Sequence, residues 1–294
     1  MGSRPIHILS VTLLFITQAA YGQLYHYEKF DVESGLSQVN VEALYEDDFG
    51  FLWVGTNGGG VSRFDGNNFV NFNEKDGIPG ELITAIDKSA YGNIVTGATW
   101  GGISEYKEGK FHHYSPAFSY SGTNHILTFG GYTWLASGSG LFWLRDRTMA
   151  RLSEEEVQNQ VINYLAHDDK YLYALGYNKI FVIEPVSKTL VKSINITLPT
   201  EAGIIAINGS MVYIGTKGSG VFYCPLNQLV KAGNDANIVF TPLRNNKNLS
   251  VNFIYLDNAG STWVGTNDQK LYNIIIDRLV ENKNFSFLPN GNFT

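Results

Sequence analysis

The fold is decided by the stretch Gly50-Phe-Leu-Trp-Val-Gly-Thr-Asn-Gly-Gly-Gly-Val-Ser-Arg-Phe64. It aligns without a gap on Gly92-Asn-Ile-Val-Thr-Gly-Ala-Thr-Trp-Gly-Gly-Ile-Ser-Glu-Tyr106, 42 residues later. Self-similarity at a fixed period indicates a repeat architecture, in which each copy forms one structural unit. The rest of the chain is therefore expected to contain further copies of this unit.

Six copies of the unit follow one another along the chain, each marked by an aromatic or β-branched anchor residue. The anchors are Trp53, Val95, Trp134, Tyr173, Tyr213 and Trp263. A glycine follows two positions after four of them, namely Gly55, Gly97, Gly215 and Gly265. We expect the anchors and these glycines to be structural, with the aromatic anchors packing between neighbouring units.

Each copy is predicted to contain four short strands. In the first copy the apolar runs are 41–45, 51–55, 61–64 and 69–72, and Gly, Asn and Asp separate them. Evenly spaced strands with a periodic Gly/aromatic motif indicate a β-propeller. The predicted fold class is thus all-β, a β-propeller of four-stranded antiparallel blades with six blades visible. The one helical pattern is Ser153–Val161, which predicts a short capped helix.

Composition excludes several classes of protein. Charged residues are 16% of the 294, below the roughly 25% usual for soluble domains, and aromatic residues are 14%. The net charge is -6 and no long basic cluster occurs, so nucleic acid is not expected as a partner. The single cysteine, Cys224, excludes a fold held together by intramolecular disulfides.

The N-terminus predicts export. Residues 1–22 combine a cationic head, an apolar run from Ile8 to Ile16, and small residues at Ala20 and Gly22. This pattern is typical of a signal peptide. An expression scar or a membrane anchor is the alternative, although the apolar run is too short to span a bilayer core of about 30 Å. We therefore expect residues 23–294 to be a β-propeller domain that is periplasmic or on the cell surface.

One motif resembles a known repeat. It is Leu52-Trp-Val-Gly-Thr-x-x-Gly-Gly-Val-x-x-Phe-Asp-Gly66, preceded by Gly35-Leu-Ser-x-x-x-Val41 and Glu46-Asp-x-x-Gly50. Together they resemble the two-component regulator propeller repeat, closely in copies one, two and six and loosely in copies three to five. The resemblance implies the N-terminal periplasmic sensor region of a Bacteroidetes-type hybrid sensor histidine kinase.

The resemblance also implies a mode of action. Such a segment is a non-enzymatic sensor without a cofactor, and it binds a carbohydrate-derived ligand such as an oligosaccharide. Its partners are C-terminal signalling domains or a second sensor subunit. Propellers of this kind are usually built from seven blades.

The domain organisation follows from the copies. The predicted blades are 36–73, 78–114, 122–152, 161–196, 202–243 and 249–289, with the last strand of the sixth at 285–288. Residues 24–30 resemble a fourth strand that lacks a blade, so we expect them to be a closing strand. The six blades are then part of a seven-bladed ring, and a strained six-bladed closure is the alternative.

Candidate ligand-binding residues lie in the turns between strands two and three and in the links between blades. Aromatic side chains mixed with Asn, Asp and Lys suit a polar, ring-shaped ligand such as an oligosaccharide. Ordinary polar turns are the alternative, and Trp100 is either a cap over the neighbouring blade or a stacking platform for a sugar ring. The candidates are Asn57, Asp76, Trp100, Tyr120, His125, Lys217 and Asn267, together with Ser139 and Tyr177.

No catalytic or metal site is predicted. His112 and His113 are adjacent in a predicted strand and would point to opposite faces. Acidic turns such as Asp47–Gly50 are better explained as hairpin turns than as calcium loops, which need six or more oxygen ligands.

Two functions of other classes stay open. One is a stand-alone secreted propeller that acts as a protein-interaction module in cell-surface assembly. The other is a propeller lyase or glycosidase, which would need converging carboxylates or a His/Tyr pair in the channel, and the sequence shows no such cluster.

Overall fold

A computed structural model of the chain describes residues 28–78, 80–100, 102–114, 121–158, 160–246 and 248–282. Within these ranges the strands form six sheets, one for each copy of the repeat. The prediction of an all-β propeller with six four-stranded antiparallel blades is confirmed.

The strands of the first three blades are as follows. Blade 1 contains β1 (Val41–Glu46), β2 (Leu52–Thr56), β3 (Val61–Phe64) and β4 (Phe69–Phe72). Blade 2 contains β5 (Ile83–Lys88), β6 (Ile94–Ala98), β7 (Ile103–Lys107) and β8 (Lys110–Tyr114). Blade 3 contains β9 (Thr123–Phe129), β10 (Tyr132–Ser137), β11 (Gly140–Arg145) and β12 (Thr148–Arg151). A short 3₁₀ helix, Glu74–Asp76, links blades 1 and 2.

The remaining strands form blades 4 to 6. Blade 4 contains β13 (Tyr164–His167), β14 (Leu172–Leu175), β15 (Lys179–Glu184) and β16 (Thr189–Thr197). Blade 5 contains β17 (Ala202–Asn208), β18 (Met211–Thr216), β19 (Val221–Pro225) and β21 (Thr241–Pro242). Blade 6 contains β22 (Val251–Leu256), β23 (Thr262–Thr266), β24 (Leu271–Ile275) and β25 (Arg278–Glu281).

Consecutive blades pack face to face around a central axis. The first strand of each blade contacts the first strand of the next, from β1 and β5 through to β17 and β22, so these strands are the innermost. Five hydrophobic clusters lie between consecutive blades of the described chain. Because the sheets are buried on both faces at these interfaces, the second strands are mostly apolar, as in Leu172–Leu175.

An aspartate fixes the turn before the second strand in several blades. In blade 1 Asp47 Oδ1 accepts hydrogen bonds from the backbone amides of Phe49 and Phe51, and Asp47 Oδ2 accepts one from Trp53 Nε1 at 2.7 Å. Asp257 and Trp263 repeat this arrangement at 2.8 Å in blade 6. The acidic turns therefore close hairpins and hold the anchor side chain in place.

Blade 5 adds a strand to blade 4. The connection between β19 and β21 contains α1 (Leu226–Lys231) and β20 (Ala236–Val239), and β20 pairs in parallel with β16. The sheet of blade 4 thus has five strands. Leu229 of α1 is fully buried in the cluster between these two blades. The sequence patterns did not predict this excursion.

The prediction of a helix at Ser153–Val161 is wrong. Residues 155–158 form a turn, in which the Glu154 carbonyl accepts hydrogen bonds from the amides of Val157 and Gln158. The Glu154 carboxylate instead accepts a hydrogen bond from the Leu190 amide of blade 4 at 3.1 Å. A segment this short gains little from helix formation, so the tertiary contact decides its conformation.

The fourth strand of blade 6 lies earlier than expected. It is β25, which pairs with β24 across a two-residue turn at Ile276 and Asp277. The segment 285–288, to which the sequence assigned this strand, lies outside the described residues. The turn interrupts the run 270–276, which the sequence assigned to a single strand. Ile276 takes a positive φ of 59°, a conformation that favours glycine or asparagine, so its residue type did not predict a turn.

The proposed closing strand falls mostly outside the described residues, as does the predicted signal peptide. The described end of that segment, residues 28–30, is not in a strand. The Phe30 ring lies 4.7 Å from the Phe64 ring and 5.6 Å from the Phe69 ring. Residue 30 is therefore held against blade 1 by aromatic contacts.

Candidate ligand-binding cleft

Each blade has two rims. The hairpin rim carries the turns between strands one and two and between strands three and four, such as 47–51 and 65–68. The link rim carries the turns between strands two and three and the links between blades, such as 57–60 and 73–82. Since the blades are antiparallel sheets, the two rims lie at opposite ends of the strands.

Three of the residues predicted to bind ligand lie at the link rim and already have local partners. Asn57 Nδ2 donates to Glu42 Oε1 at 3.3 Å, and Lys217 Nζ contacts Glu201 Oε1 at 2.8 Å. Asp76 Oδ2 accepts a hydrogen bond from the Asn73 amide and caps the 3₁₀ helix. These contacts stabilise the links, which agrees with the alternative of ordinary polar turns.

The other predicted residues differ in their surroundings. Trp100 is 77% exposed, so its ring does not cap the neighbouring blade. Asn267 is exposed, and its amide donates to the Ser250 carbonyl at 3.0 Å. Tyr120 lies outside the described residues. Tyr177 is 65% exposed, so the link rim holds two exposed aromatic side chains.

His125 belongs to the interior and not to a turn. It lies in β9, where its ring stacks on the Tyr164 ring of blade 4 with centroids 3.6 Å apart. Its Nδ1 is buried without a hydrogen-bond partner among the described residues, and burial lowers the pKa of His125 to about 3. Such a weak base is a poor general base near neutral pH. The sequence missed this His/Tyr pair because it depends on the packing of two blades.

Most of the anchors predicted to be structural occupy the interior, whereas Trp263 is half-buried. Trp53, Trp134, Tyr173 and Tyr213 are all buried. The Trp53 ring lies 5.0 Å from the Tyr106 ring and 6.3 Å from the Phe111 ring, both on blade 2. In blade 1 the anchor thus packs against the following blade.

A cavity that the described residues line lies at the hairpin rim, between blades 2 and 3. Its volume is about 570 Å³, which is within the range of small-molecule sites. It opens to solvent and is lined by Ser89, Ala90, Tyr91, Asn93, Glu105, Lys107, Tyr114, Thr133, Leu144, Arg145, Asp146 and Arg147. We call this cavity the interblade cleft.

A buried carboxylate lies at the base of the interblade cleft. Glu105, on β7, accepts hydrogen bonds from Asn93 Nδ2 at 3.0 Å and from Tyr114 OH at 2.7 Å. Burial, together with the Glu105 carboxylate, raises the pKa of Tyr114, so the phenol stays protonated as a donor. The Ala90 amide donates to Thr133 Oγ1 at 3.1 Å and ties the two blades together below the cleft.

Cationic side chains and an exposed ring line the same cleft. Arg147 and Lys107 line the opening and form no ion pair within the described part of the chain. Arg145 lies 5.0 Å from the centre of the Tyr132 ring, and its Nε is 3.6 Å from Asp146. Tyr91 donates a hydrogen bond to Asp146, which raises the pKa of Tyr91, and its ring stays exposed.

A second crevice adjoins the first. It has a volume of about 290 Å³, lies between blades 1 and 2, and shares Asn93 and Lys107 with the interblade cleft. The Arg63 guanidinium lies 4.6 Å above the Phe51 ring, and its Nε is buried without a hydrogen-bond partner in the described ranges. Together the two crevices offer aromatic faces, hydrogen-bond acceptors and cationic donors along one rim.

The sequence did not predict this cleft, because the polar and aromatic residues that stand out in the sequence lie in the turns and links of the link rim. Glu105 was the available signal, since an acidic residue in the middle of a third strand that is buried between two blades needs a partner. The partners Asn93 and Tyr114 come from two other strands of the same blade.

Three further observations concern metal binding, membrane spanning and the single cysteine. Among the described residues, no three His, Cys, Asp or Glu side chains lie close enough to hold a metal ion together. No helix in the same ranges has the length and apolar character needed to cross a membrane. The Cys224 thiol is buried, and burial raises its pKa to about 12.

The first copy of the repeat matches a known family. Residues 35–58 match the family model described as two component regulator propeller. The chain carries a two-component regulator propeller repeat. The resemblance seen in the motif is thereby confirmed. No curated protein matches the chain.

Solved structures share the fold. A catalytically inactive virginiamycin B lyase from Staphylococcus aureus with quinupristin has a TM-score of 0.66 and 16% identity, covering 86% of this chain and 84% of its own. The extracellular domain of a hybrid two-component system from B. thetaiotaomicron has a TM-score of 0.62 and 19% identity, covering 83% of this chain and 33% of its own.

A third similar structure belongs to a secretion system. PorZ, a bacterial surface component of the type-IX secretion system of Porphyromonas gingivalis, has a TM-score of 0.60 and 14% identity, covering 83% of this chain and 33% of its own. At these identities the similarity concerns the fold, which enzymes, sensors and secretion components share.

Proposed function

We propose that this propeller is an extracytoplasmic ligand-binding sensor domain of a two-component signalling system and that its ligand is a carbohydrate-derived molecule. The family match at residues 35–58 supports the signalling role. The structure of the extracellular domain from B. thetaiotaomicron agrees with a propeller in such a position. The predicted signal peptide at residues 1–22 agrees with export.

The observation that carries the ligand proposal is the interblade cleft. Its base is the Glu105 carboxylate, held by Asn93 and Tyr114, and its opening has the donors Arg147 and Lys107. Sugar hydroxyl groups both donate and accept hydrogen bonds, so they match a site that has acceptors and donors side by side. The exposed ring of Tyr91 adds an apolar face at the edge.

The cleft supports binding rather than catalysis. Glu105 is the one carboxylate buried in its base, and the other acid that lines it, Asp146, is exposed and contacts Tyr91. Acid-catalysed glycoside cleavage by two carboxylates needs both groups to face the same bond. Signalling would follow if the ligand bound one arrangement of two sensor subunits, or of the propeller and a C-terminal domain, more tightly than another.

Calorimetry of the chain against a panel of plant and host glycan oligomers tests this proposal. Heat of binding that saturates with at least one oligomer is expected. The absence of binding to every member of the panel would overturn the carbohydrate proposal. Binding of a protein partner in place of any glycan would favour the interaction-module function instead.

A further inference from the structure

The second crevice and the interblade cleft occupy equivalent places between consecutive blades. The turn before the second strand contributes an aromatic side chain to each, Phe49 to the crevice and Tyr91 to the cleft. The third strand of the same blade contributes a charged residue, Arg63 in blade 1 and Glu105 in blade 2. Both pairs are 42 residues apart, which is the spacing of the first two copies of the repeat. The two sites are therefore successive copies of one arrangement.

Lys107 joins the two sites. It lies at the end of β7 and lines both the second crevice and the interblade cleft. The residue is half-buried, and its ammonium group forms no ion pair within the described ranges of the chain. A cation in this position is available to one ligand that extends across both sites.

An exposed aromatic ring stands at the edge of each site. Phe49 is 87% exposed and Tyr91 is 57% exposed. In blade 6 the same hydrogen-bonded turn carries Ala259 at this position, so the turn itself does not require an aromatic residue. An exposed ring beside a pocket is an apolar surface that a bound ligand can cover.

Arg63 distinguishes the second crevice from the interblade cleft. Its guanidinium lies 4.6 Å from the centre of the Phe51 ring and 5.6 Å from that of the Trp53 ring, and stacking on these rings restricts its orientation. Its Nε has no hydrogen-bond partner, and the group forms no ion pair, in the part of the chain that the structure describes. A planar guanidinium without a carboxylate partner is suited to bind an oxyanion from outside.

Most acidic side chains that line the second crevice are already engaged. Asp47 accepts hydrogen bonds from two backbone amides and an indole N–H. Asp48 pairs with Lys88 at 3.0 Å. Glu108 is exposed and forms no ion pair with a described residue. The two unpaired cations of this crevice therefore keep donors available for a ligand.

We propose that the second crevice and the interblade cleft are successive subsites for one linear oligosaccharide, which carries an acidic group on the sugar bound in the second crevice. The acidic group, a carboxylate or a sulfate, lies between Arg63 and Lys107. The sugar rings lie against Phe49 and Tyr91, and the next sugar occupies the interblade cleft. This inference rests on the proposed function and narrows its ligand to an acidic glycan.

Calorimetric titration of the chain with matched oligosaccharides tests the inference. The probes are galacturonic acid oligomers, their neutral methyl esters, sulfated galactan oligomers and unsulfated galactan oligomers. One acidic series should bind at least about tenfold more tightly than its neutral counterpart, and the series that binds identifies the acidic group. Its affinity should rise from the disaccharide to longer oligomers, since the second subsite is then filled intramolecularly, and should fall with added salt.

Three variants locate the acidic oligomer. Lys107→Gln and Arg63→Lys should each weaken its binding about tenfold or more, the second because lysine lacks the planar fork of donors. Phe49→Ser should weaken it about threefold or more through loss of the apolar face. Lys75→Gln removes an exposed cation from the link rim and is the matched control, which should keep full affinity. The melting temperature of each variant verifies folding.

Two results would overturn the inference and leave the proposed function standing. One is equal affinity for the acidic oligomers and their neutral counterparts. The other is full affinity of both Lys107→Gln and Arg63→Lys for the acidic oligomer, because the acidic group would then lie elsewhere. Absence of binding to every glycan, acidic or neutral, would overturn both the inference and the carbohydrate proposal.

Discussion

Ile83 of blade 2 lies directly on Gly55 of blade 1, so closely that a Cβ on Gly55 would be 2.8 Å from Ile83 Cγ2 and 3.1 Å from the Ile83 carbonyl oxygen. Because one of the neighbouring atoms is backbone, the blade cannot relieve the clash by rotating a side chain alone. The spacing between blades is therefore set by the absence of a side chain at this position.

Gly55→Ala should destabilise the fold by about 1–3 kcal/mol, the usual cost of overpacking a buried site. Chemical denaturation monitored by tryptophan fluorescence measures the loss. Gly203→Ala in β17 is the control, since its added Cβ would meet atoms no closer than 3.7 Å. An equal effect of both substitutions would mean that glycine acts through backbone flexibility and not through contact.

Asp257→Asn should lower the melting temperature at neutral pH. The hydrogen bond from Trp263 Nε1, and those from the turn amides, lower the pKa of Asp257. Such a carboxylate stabilises the fold above its unfolded pKa of about 3.9, and this contribution is lost as pH falls through the lower folded pKa. The difference between wild type and variant in thermal melts should therefore shrink below about pH 4. Asp169→Asn, at an exposed position, is the control and should leave the melting temperature nearly unchanged.

His125→Phe should make the fold less sensitive to acid. Burial lowers the pKa of His125 to about 3, below its unfolded value of about 6.5. Between these values the unfolded chain binds a proton that the folded chain does not, so stability falls as pH falls, by about 1.4 kcal/mol per unit. Phenylalanine keeps the stack on Tyr164 and removes this contribution.

Asp87 changes the pH dependence of folding stability in the opposite direction, since burial raises its pKa to about 6. It is present in both wild type and His125→Phe, so the difference between their stability curves from pH 4 to 6 isolates His125. Parallel curves would contradict the burial of the His125 imidazole.

Leu229→Ala should destabilise the contact between blades 4 and 5 by about 2–5 kcal/mol, since the side chain is fully buried. Lys192 Nζ donates to the carbonyls of Val230 and Ala232, which fixes the end of α1 against blade 4. Faster amide exchange in β20 should accompany the loss. Val230→Ala, at a 45% exposed position of the same helix, should change stability by less than about 0.5 kcal/mol.

The sequence predicted the strands where glycine, asparagine or aspartate separate them. The four strands of blade 1 agree with their predicted bounds to within a residue at each end. The sequence did not predict strand β25, because the turn that joins it to β24 contains Ile276 at a positive φ in place of a typical turn residue. The sequence did not predict the helix α1, because the residue that precedes it, Pro225, provides no side-chain cap.

The candidate site is built from residues of two copies of the repeat, so the sequence of one copy does not predict it. The interblade cleft combines Glu105 of blade 2 with Arg147 of blade 3, which are 42 residues apart and belong to different copies. Turn residues at the link rim carried the visible polar signal, but Asn57, Asp76 and Lys217 use their side chains in local contacts. Which rim binds ligand therefore follows from packing between blades.

The most direct test of the account is a calorimetric titration, with a glycan that binds the wild type, of two variants at opposite rims. Arg147→Asn removes a cation from the interblade cleft and suits the positive φ of 62° at this position. It should weaken binding about tenfold or more, as expected for loss of a charge-assisted hydrogen bond. Trp100→Ala at the link rim should leave the affinity unchanged. Loss of binding in Trp100→Ala with full affinity in Arg147→Asn would contradict the account and place the ligand at the link rim.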